Sequence, residues 1–174
     1  MSVQKYDDDY ARDRAEIEDL MARYLFALDY NDLDTFIAMF TDDAVFDFAR
    51  GRIEGKANIL EAVKGFKARI GDIYKDEDGA PAVLRHVLAH AAIRVEGDRA
   101  WHTGFWFETA NDGPRNDAGR LTPTLGTFGI YEDELLRVNG RWLFSLRRIL
   151  NEFLTGRESG STNPVLAMDL KAAS

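Results

Sequence analysis

An acid at the end of an apolar helical stripe and a histidine on a distant strand are the residues best suited to chemistry in this chain. The stripe runs Ile17, Leu20, Met21, Tyr24, Leu25 and Leu28, and it ends at Asp29. The strand reads Leu84-Arg85-His86-Val87-Leu88-Ala89-His90. A carboxylate beside an imidazole in an apolar pocket is a proton-transfer pair. Imidazole titrates near neutrality, so modest tuning makes it a base or an acid. The chemistry to expect is removal or relocation of a proton next to an activating group on a small hydrophobic molecule.

Each of these residues also has a plainer reading. Asp29 lies at the margin of the stripe near Leu25, at a helix end where carbonyl groups disfavour negative charge. It is either drawn inward or a solvated helix-end acid. Strand alternation puts His86, Leu88, His90 and Ala92 on one face, and Val87, Ala89, Ala91 and Ile93 on the other. Both faces are apolar, so alternation does not decide which one lines a cavity. A lone strand histidine is more often a structural hydrogen-bonder; a pair on one face near a carboxylate favours chemistry. His102 follows on the next strand, on a face with Ala100, Gly104 and Trp106. Three histidines on adjacent strands raise a metal site, but their spacing fits no compact metal motif. No metal and no cofactor are expected.

Tyr24 sits at the centre of the stripe and reads as core. If its hydroxyl reaches a cavity, it can donate to a carbonyl and stabilise an enolate. Arg148 shares its apparent face with Trp142, Phe144 and Leu146, and is either paired with an acid or exposed at a strand end. The expected substrate contacts are His102, His90, Phe46, Leu88, Trp106, Phe128 and Arg148.

These residues need elements to position them. Apolar spacing predicts a helix over 13–28 and, capped by Asn31, a short second helix carrying Leu33, Phe36, Ile37 and Phe40 inward. Residues 44–48 alternate as a strand, 51–55 read as a turn, and 56–70 as a third helix. Four long strands follow over 83–95, 99–109, 121–138 and 141–153. Asn139-Gly140 is a strong hairpin signal. The first ten residues read as a loose arm, and the tail after Thr155 as a polar loop that either closes the pocket or reaches a neighbouring subunit. Helices first and hairpins after imply an α+β fold, with a curved antiparallel sheet wrapped over about three N-terminal helices. The hollow between such layers is a common ligand site.

Composition narrows the partners. The chain has 174 residues, 45% of them hydrophobic, a formal charge of −8 and no cysteine. That suits a compact core and excludes disulfides and thiolate metal sites. A diffuse acidic surface opposes binding to nucleic acid or anionic membranes. The first residues lack the apolar core of a signal peptide, so the default expectation is the cytoplasm. No glycine-rich phosphate loop follows a strand. Trp101, Phe105 and Phe107 make an aromatic strand that calls for covering, by a homodimer or a homotrimer.

The blocks RAEIEDLMARYLFALDYNDLDTFIAMFTDDAVFDF, GRIEGKANIL, LRHVLAHAAIRVEGDRAWHTGFWF and YEDELLRVNGRWLFSLRRI resemble the SnoaL-like branch of the nuclear transport factor 2-like superfamily. The resemblance covers about residues 11–153 of a single domain over 1–174, leaving 154–174 as a C-terminal tail. Within that branch the chain is most similar to scytalone dehydratase, bile-acid dehydratase and lindane dehydrochlorinase. This implies a cone-shaped fold enclosing a cavity and a cofactor-free elimination. By the same resemblance Asp29 orients His86, which takes the proton, and Tyr24 assists. His90 stands where many relatives have asparagine. A double-bond isomerase using the same base, and a non-catalytic module that binds a hydrophobic ligand or another subunit, are the alternatives.

Overall fold

The side chain of Asp7 accepts a hydrogen bond from the backbone N–H of Tyr10 and caps the first helix. Asp8 and Asp9 fill its first turn, where the helix dipole favours negative charge. Helix α1 (Asp8–Asp29) therefore starts within the segment expected to be a loose arm. This computed structural model describes residues 4–173. After α1 come α2 (Leu33–Ala38), β1 (Phe40–Phe48), β2 (Gly51–Glu54), α3 (Lys56–Ile73), β3 (Leu84–Glu96), β4 (Arg99–Ala110), β5 (Thr124–Val138), β6 (Arg141–Asn151) and α4 (Pro164–Ala172). Among the described residues no helix is long and apolar enough to cross a membrane.

Two local expectations are corrected. Asp32, not Asn31, caps α2, accepting from the Thr35 backbone N–H at 3.1 Å. Asn31 instead takes a φ of 59°, a turn that asparagine tolerates better than most residues. Residues 51–54 form a strand rather than a turn, and pair antiparallel with β1 from Val45↔Glu54 to Phe48↔Gly51.

The six strands make one curved, unclosed sheet in the order β2-β1-β6-β5-β4-β3. The β1–β6 pair is parallel and the others are antiparallel. At the Asn139-Gly140 turn both residues have positive φ, 51° and 75°, the conformation a tight two-residue hairpin needs. The concave face meets α1 and α2 in an aromatic core. There Tyr24 packs against Phe36 and Phe144, with ring centroids 5.2 and 5.5 Å away. Phe40 packs at a tilt against Phe36 and Phe144, with ring centroids 5.2 Å away in each case.

Three bulges set which side chains face that core. Each adds a residue to one strand and reverses its alternation beyond that point. In β3, Leu88 pairs with Trp106 but the next aligned pair is Ala91↔Gly104. In β5 the shift falls between Phe107↔Phe128 and Thr109↔Leu125. In β6, Leu135 pairs with Phe144 and Glu134 with Leu146, so Ser145 is the extra residue.

Gly129 permits a close strand crossing. A Cβ there would lie 1.9 Å from the Leu150 carbonyl oxygen, which accepts the Trp106 indole N–H at 3.1 Å. A methyl group would have to move backbone rather than a flexible side chain. Gly129→Ala is therefore expected to cost at least the ~1–3 kcal/mol typical of overpacking, measured as a fall in the urea midpoint.

The tail does not line the cavity; it folds back onto the sheet. Asn163 caps α4, accepting from the Val165 backbone N–H, and Pro164 opens the helix. The helix lies on the convex face over β3 and β4 with Met168 buried. Trp101 is buried, while Phe105 and Phe128 stay 50% and 40% exposed on that face.

Before α4, the tail is tied to β1 and β6 through Asp47. Its carboxylate accepts from Arg157 at 2.8 Å and from Arg148 at 3.1 Å. Burial disfavours the Asp47 charge, but the bonds from Arg157 and Arg148 outweigh it and hold the carboxyl below its ordinary range. A depressed carboxyl contributes its stability above the unfolded value, about 3.9 for aspartate, and loses it as the pH falls through the folded value. Asp47→Asn is expected to lower the urea midpoint at neutral pH and to flatten its decline below about pH 4.

Candidate active site

β3 is an edge strand, so a row of its N–H groups lacks a strand partner. Asp29, the last residue of α1, meets one of them. Its Oδ2 accepts the His86 backbone N–H at 2.8 Å, and its Oδ1 lies 2.6 Å from His86 Nδ1. Two bonds to one carboxylate fix both strand and ring, and they explain why the acid turns inward at a helix end. The Asp29 side chain is 6% exposed and that of His86 14%. An ionised carboxylate only accepts, so Nδ1 carries a proton, and in the neutral ring Nε2 is then the basic nitrogen.

Nε2 lies 3.5 Å from Oε2 of Glu108. This second carboxylate is also buried, and its Oε1 accepts the Tyr74 hydroxyl. Burial first, and then the bond to Glu108, push the Tyr74 phenol above its ordinary range. Gly126 makes room for the acid, since a Cβ there would lie 2.9 Å from Glu108 Oε1. Asp29, His86, Glu108 and Tyr74 thus form one chain of polar contacts from α1 across the sheet to the end of α3.

The chain borders a cavity of about 220 Å³. Its walls are mostly apolar: Leu28, Phe46, Phe48, Val63, Phe66, Trp106 and Tyr131. His86, Glu108, Tyr74, Thr127 and Asn151 supply polar groups. Phe46 and Trp106 stand where a substrate contact was expected. The Tyr24 ring also lines the cavity, but its hydroxyl is buried without a hydrogen-bond partner. Burial pushes that phenol up to about 12, with the Arg147 charge pulling the other way.

Five expected contacts are placed elsewhere. His90 lies beyond the start of the β3 bulge and turns to the convex face, where it meets Phe105 at 6.3 Å. Leu88 faces inward but packs on the core over Gly104, outside the cavity lining. Alternation from Tyr131 puts Phe128 on the convex face, edge-on to Phe153 at 5.0 Å. Arg148 turns outward because of the Ser145 bulge and pairs with Asp47 and Glu132, each at 3.1 Å.

His102 does face inward, but below the cavity. Its Nδ1 is 2.8 Å from Asp133 Oδ2, which also accepts from Arg147 at 3.2 Å. The three side chains are 0%, 0% and 1% exposed. The Arg147 guanidinium is sandwiched between the rings of Tyr24 at 3.8 Å and Tyr131 at 3.9 Å. Among the described residues no group of three or more His, Asp or Glu side chains is arranged to hold a metal ion.

Some of these residues escaped the sequence reading. Glu108 shares the parity of His102 and Trp106, so extending that alternation two residues finds it. Arg147 is found only by knowing of the bulge at Ser145. Tyr74 ends α3 just before a polar connection and carries no periodic signal.

No curated protein matches the chain. Solved structures do. A Mycobacterium tuberculosis protein of unknown function is 24% identical, with 95% of this chain and 91% of that one covered and a TM-score of 0.66. A candidate scytalone dehydratase from Novosphingobium aromaticivorans is 18% identical, with 91% and 96% covered and a TM-score of 0.65. An NTF2-like protein with a cystatin-like fold, also from Novosphingobium aromaticivorans, is 20% identical, with 92% and 90% covered and a TM-score of 0.65. At these identities the likeness establishes the fold. The SnoaL-like domain signature matches residues 9–148, and the chain belongs to that family, within the NTF2-like superfamily.

Proposed function

We propose that this protein is a cofactor-independent lyase that eliminates water, or a halide, from a small hydrophobic and cyclic substrate. The observation that carries the reading is the His86 ring. Nδ1 is held by Asp29, and Nε2, 3.5 Å from Glu108, belongs to a ring that lines a largely apolar cavity. A desolvated imidazole held in one tautomer is equipped to take a proton from a carbon next to a carbonyl.

The step balances without an added reagent. The C–H electron pair becomes the new C=C bond as the C–O bond breaks. His86 Nε2 takes the carbon's proton, and the imidazolium lies between Asp29 and Glu108, whose charges stabilise it. In dehydration the departing hydroxide takes that proton and leaves as water; with a halide substrate the C–halogen bond breaks instead, the halide leaves as the anion and the imidazolium gives its proton to solvent. Family members are often enzymes, and one solved neighbour is described as a candidate scytalone dehydratase.

Glu108 favours a second reading. A further proton acceptor 3.5 Å from Nε2 suits an isomerase that moves a proton between two carbons of one substrate. Incubation with cyclic β-hydroxy and β-halo ketones, read by mass spectrometry, separates the two. Loss of water or halide supports the lyase, and unchanged mass with a moved double bond supports the isomerase. Asp29→Asn is expected to cost about two powers of ten or more in turnover, through loss of tautomer control. An unchanged rate on a substrate the wild type turns over rejects the assignment.

A further inference from the structure

Taking a proton from a carbon beside a carbonyl needs a partner for the oxygen as well as for the hydrogen. Negative charge builds on that oxygen while the proton moves, and donors already in place stabilise it. His86 and Glu108 serve the proton, and the Tyr74 hydroxyl is spent on Glu108. Two further polar residues line the cavity, Thr127 and Asn151.

Each carries a donor without a partner. The Thr127 hydroxyl is buried and makes no hydrogen bond among the described residues. A buried hydroxyl left this way is costly, so it calls for an occupant. The Asn151 amide is half used. Its oxygen accepts the Phe153 backbone N–H at 2.9 Å. That N–H can only donate, so the amide is fixed with its nitrogen at the other end. The nitrogen makes no hydrogen bond among the described residues.

The fold sets these two donors in line with the base. β3, β4, β5 and β6 are consecutive in the sheet. His86 pairs with Glu108 across β3 and β4. The β5 bulge puts Gly126 and Thr127 together opposite Glu108, between Phe107↔Phe128 and Thr109↔Leu125. Gly129 pairs with Asn151. Thr127, two residues before Gly129, is then a diagonal neighbour of Asn151 on the same face. The strands still touch there, because the Glu152 backbone N–H donates to the Phe128 carbonyl at 3.0 Å. One face of four strands thus carries the base, the second carboxyl group and both donors, on the concave side of a curved sheet.

We propose that Thr127 and Asn151 hold the carbonyl oxygen of the substrate and stabilise the charge that builds on it as His86 takes the neighbouring proton. The hydroxyl and the amide nitrogen each donate one hydrogen bond. The electron pair of the broken C–H bond is borne in part by this oxygen before it forms the C=C bond and expels the leaving group. The inference rests on the proposed function and adds the substrate's activating group. Donors without charge, next to the Asp29 and Glu108 carboxyl groups, suit a neutral carbonyl such as a ketone better than an anion.

The test needs no turnover. The full chain is titrated with α-tetralone, a bicyclic ketone, and with tetralin, its carbonyl-free counterpart. Infrared difference spectra with carbonyl-labelled ketone read the C=O stretch of the bound molecule. In the wild type the stretch is expected near its value in water, where the oxygen is hydrogen-bonded. In Thr127→Val, and further in Thr127→Val/Asn151→Leu, it is expected to move toward its value in hexane. The double variant is expected to bind the ketone about tenfold more weakly relative to tetralin.

A wild-type stretch at the hexane value overturns the inference, as does a stretch and affinity ratio unchanged in the double variant. So does failure of the ketone to bind at millimolar concentration. Thr127→Val breaks no hydrogen bond, so its urea midpoint is expected at or above that of the wild type. This single variant decides the matter if Asn151→Leu disturbs the tail, and a fall in its midpoint overturns the assignment by showing a structural partner for the hydroxyl. His86→Ala is expected to keep the hydrogen-bonded stretch. A wild type that holds the ketone this way yet exchanges none of its α-hydrogens in heavy water counts against the proposed function and supports the inference, so the two failures read separately.

Discussion

His86→Ala is expected to lower kcat by about two to four powers of ten, the usual contribution of a positioned general base. The fold survives the change. The ring projects into the cavity rather than into the packed core, and Asp29 keeps its bond to the backbone N–H of residue 86. The thermal midpoint therefore moves by a few degrees at most, while turnover collapses. Added imidazole, small enough for a cavity of about 220 Å³, is expected to restore part of the rate, because on the proposed mechanism the missing group is the base. Wild-type turnover in this variant would remove His86 from the mechanism.

Arg147→Met is expected to unfold the protein at much lower urea. Arg147, Asp133 and His102 are sealed from solvent, and removing the cation leaves the Asp133 carboxylate with only a histidine for support. Breaking a buried pair on one side costs about 3–5 kcal/mol, a large share of the 5–15 kcal/mol that holds a typical domain together. Methionine keeps most of the volume between Tyr24 and Tyr131, so the loss is electrostatic rather than a packing void. Asp133→Leu added to Arg147→Met recovers part of it, since an apolar replacement of both partners is far less costly than an orphaned charge. A midpoint that stays within experimental error of the wild type would show that the cluster contributes little to stability.

The layout of helices before hairpins is legible from the chain, because it rests on local signals. The stripe from Ile17 to Leu28, the alternation around Trp106 and the Asn139-Gly140 turn each specify their element without outside help. Asp29 and His86 are conspicuous for the same reason: each interrupts an otherwise apolar pattern. Their meeting is not a local property. It depends on α1 ending beside the free edge of β3, which nothing in either segment encodes.

Facing directions beyond a bulge are the second kind of information that linear reading loses. One extra residue at Ser145 exchanges Arg148 for Arg147 in the interior, and the irregularity between Leu88 and Ala91 turns His90 outward. Neither place carries the glycine or proline that would have announced it. Helix α4 was missed because its apolar residues cover one small patch on the convex face, too short a stretch to show a period. Glu108 was readable in principle, by two more steps of the alternation that contains His102 and Trp106.

The pair of hydrogen bonds between Asp29 and His86 carries a consequence for drift in this lineage. An unpaired strand rim invites a stranger's strand to zip onto it, and here one amide of that rim is occupied by the same carboxylate that holds the ring. A descendant without the proposed chemistry would still gain protection of that rim by retaining the acid. Selection against fibre-forming contacts can thus preserve Asp29 after the histidine has gone.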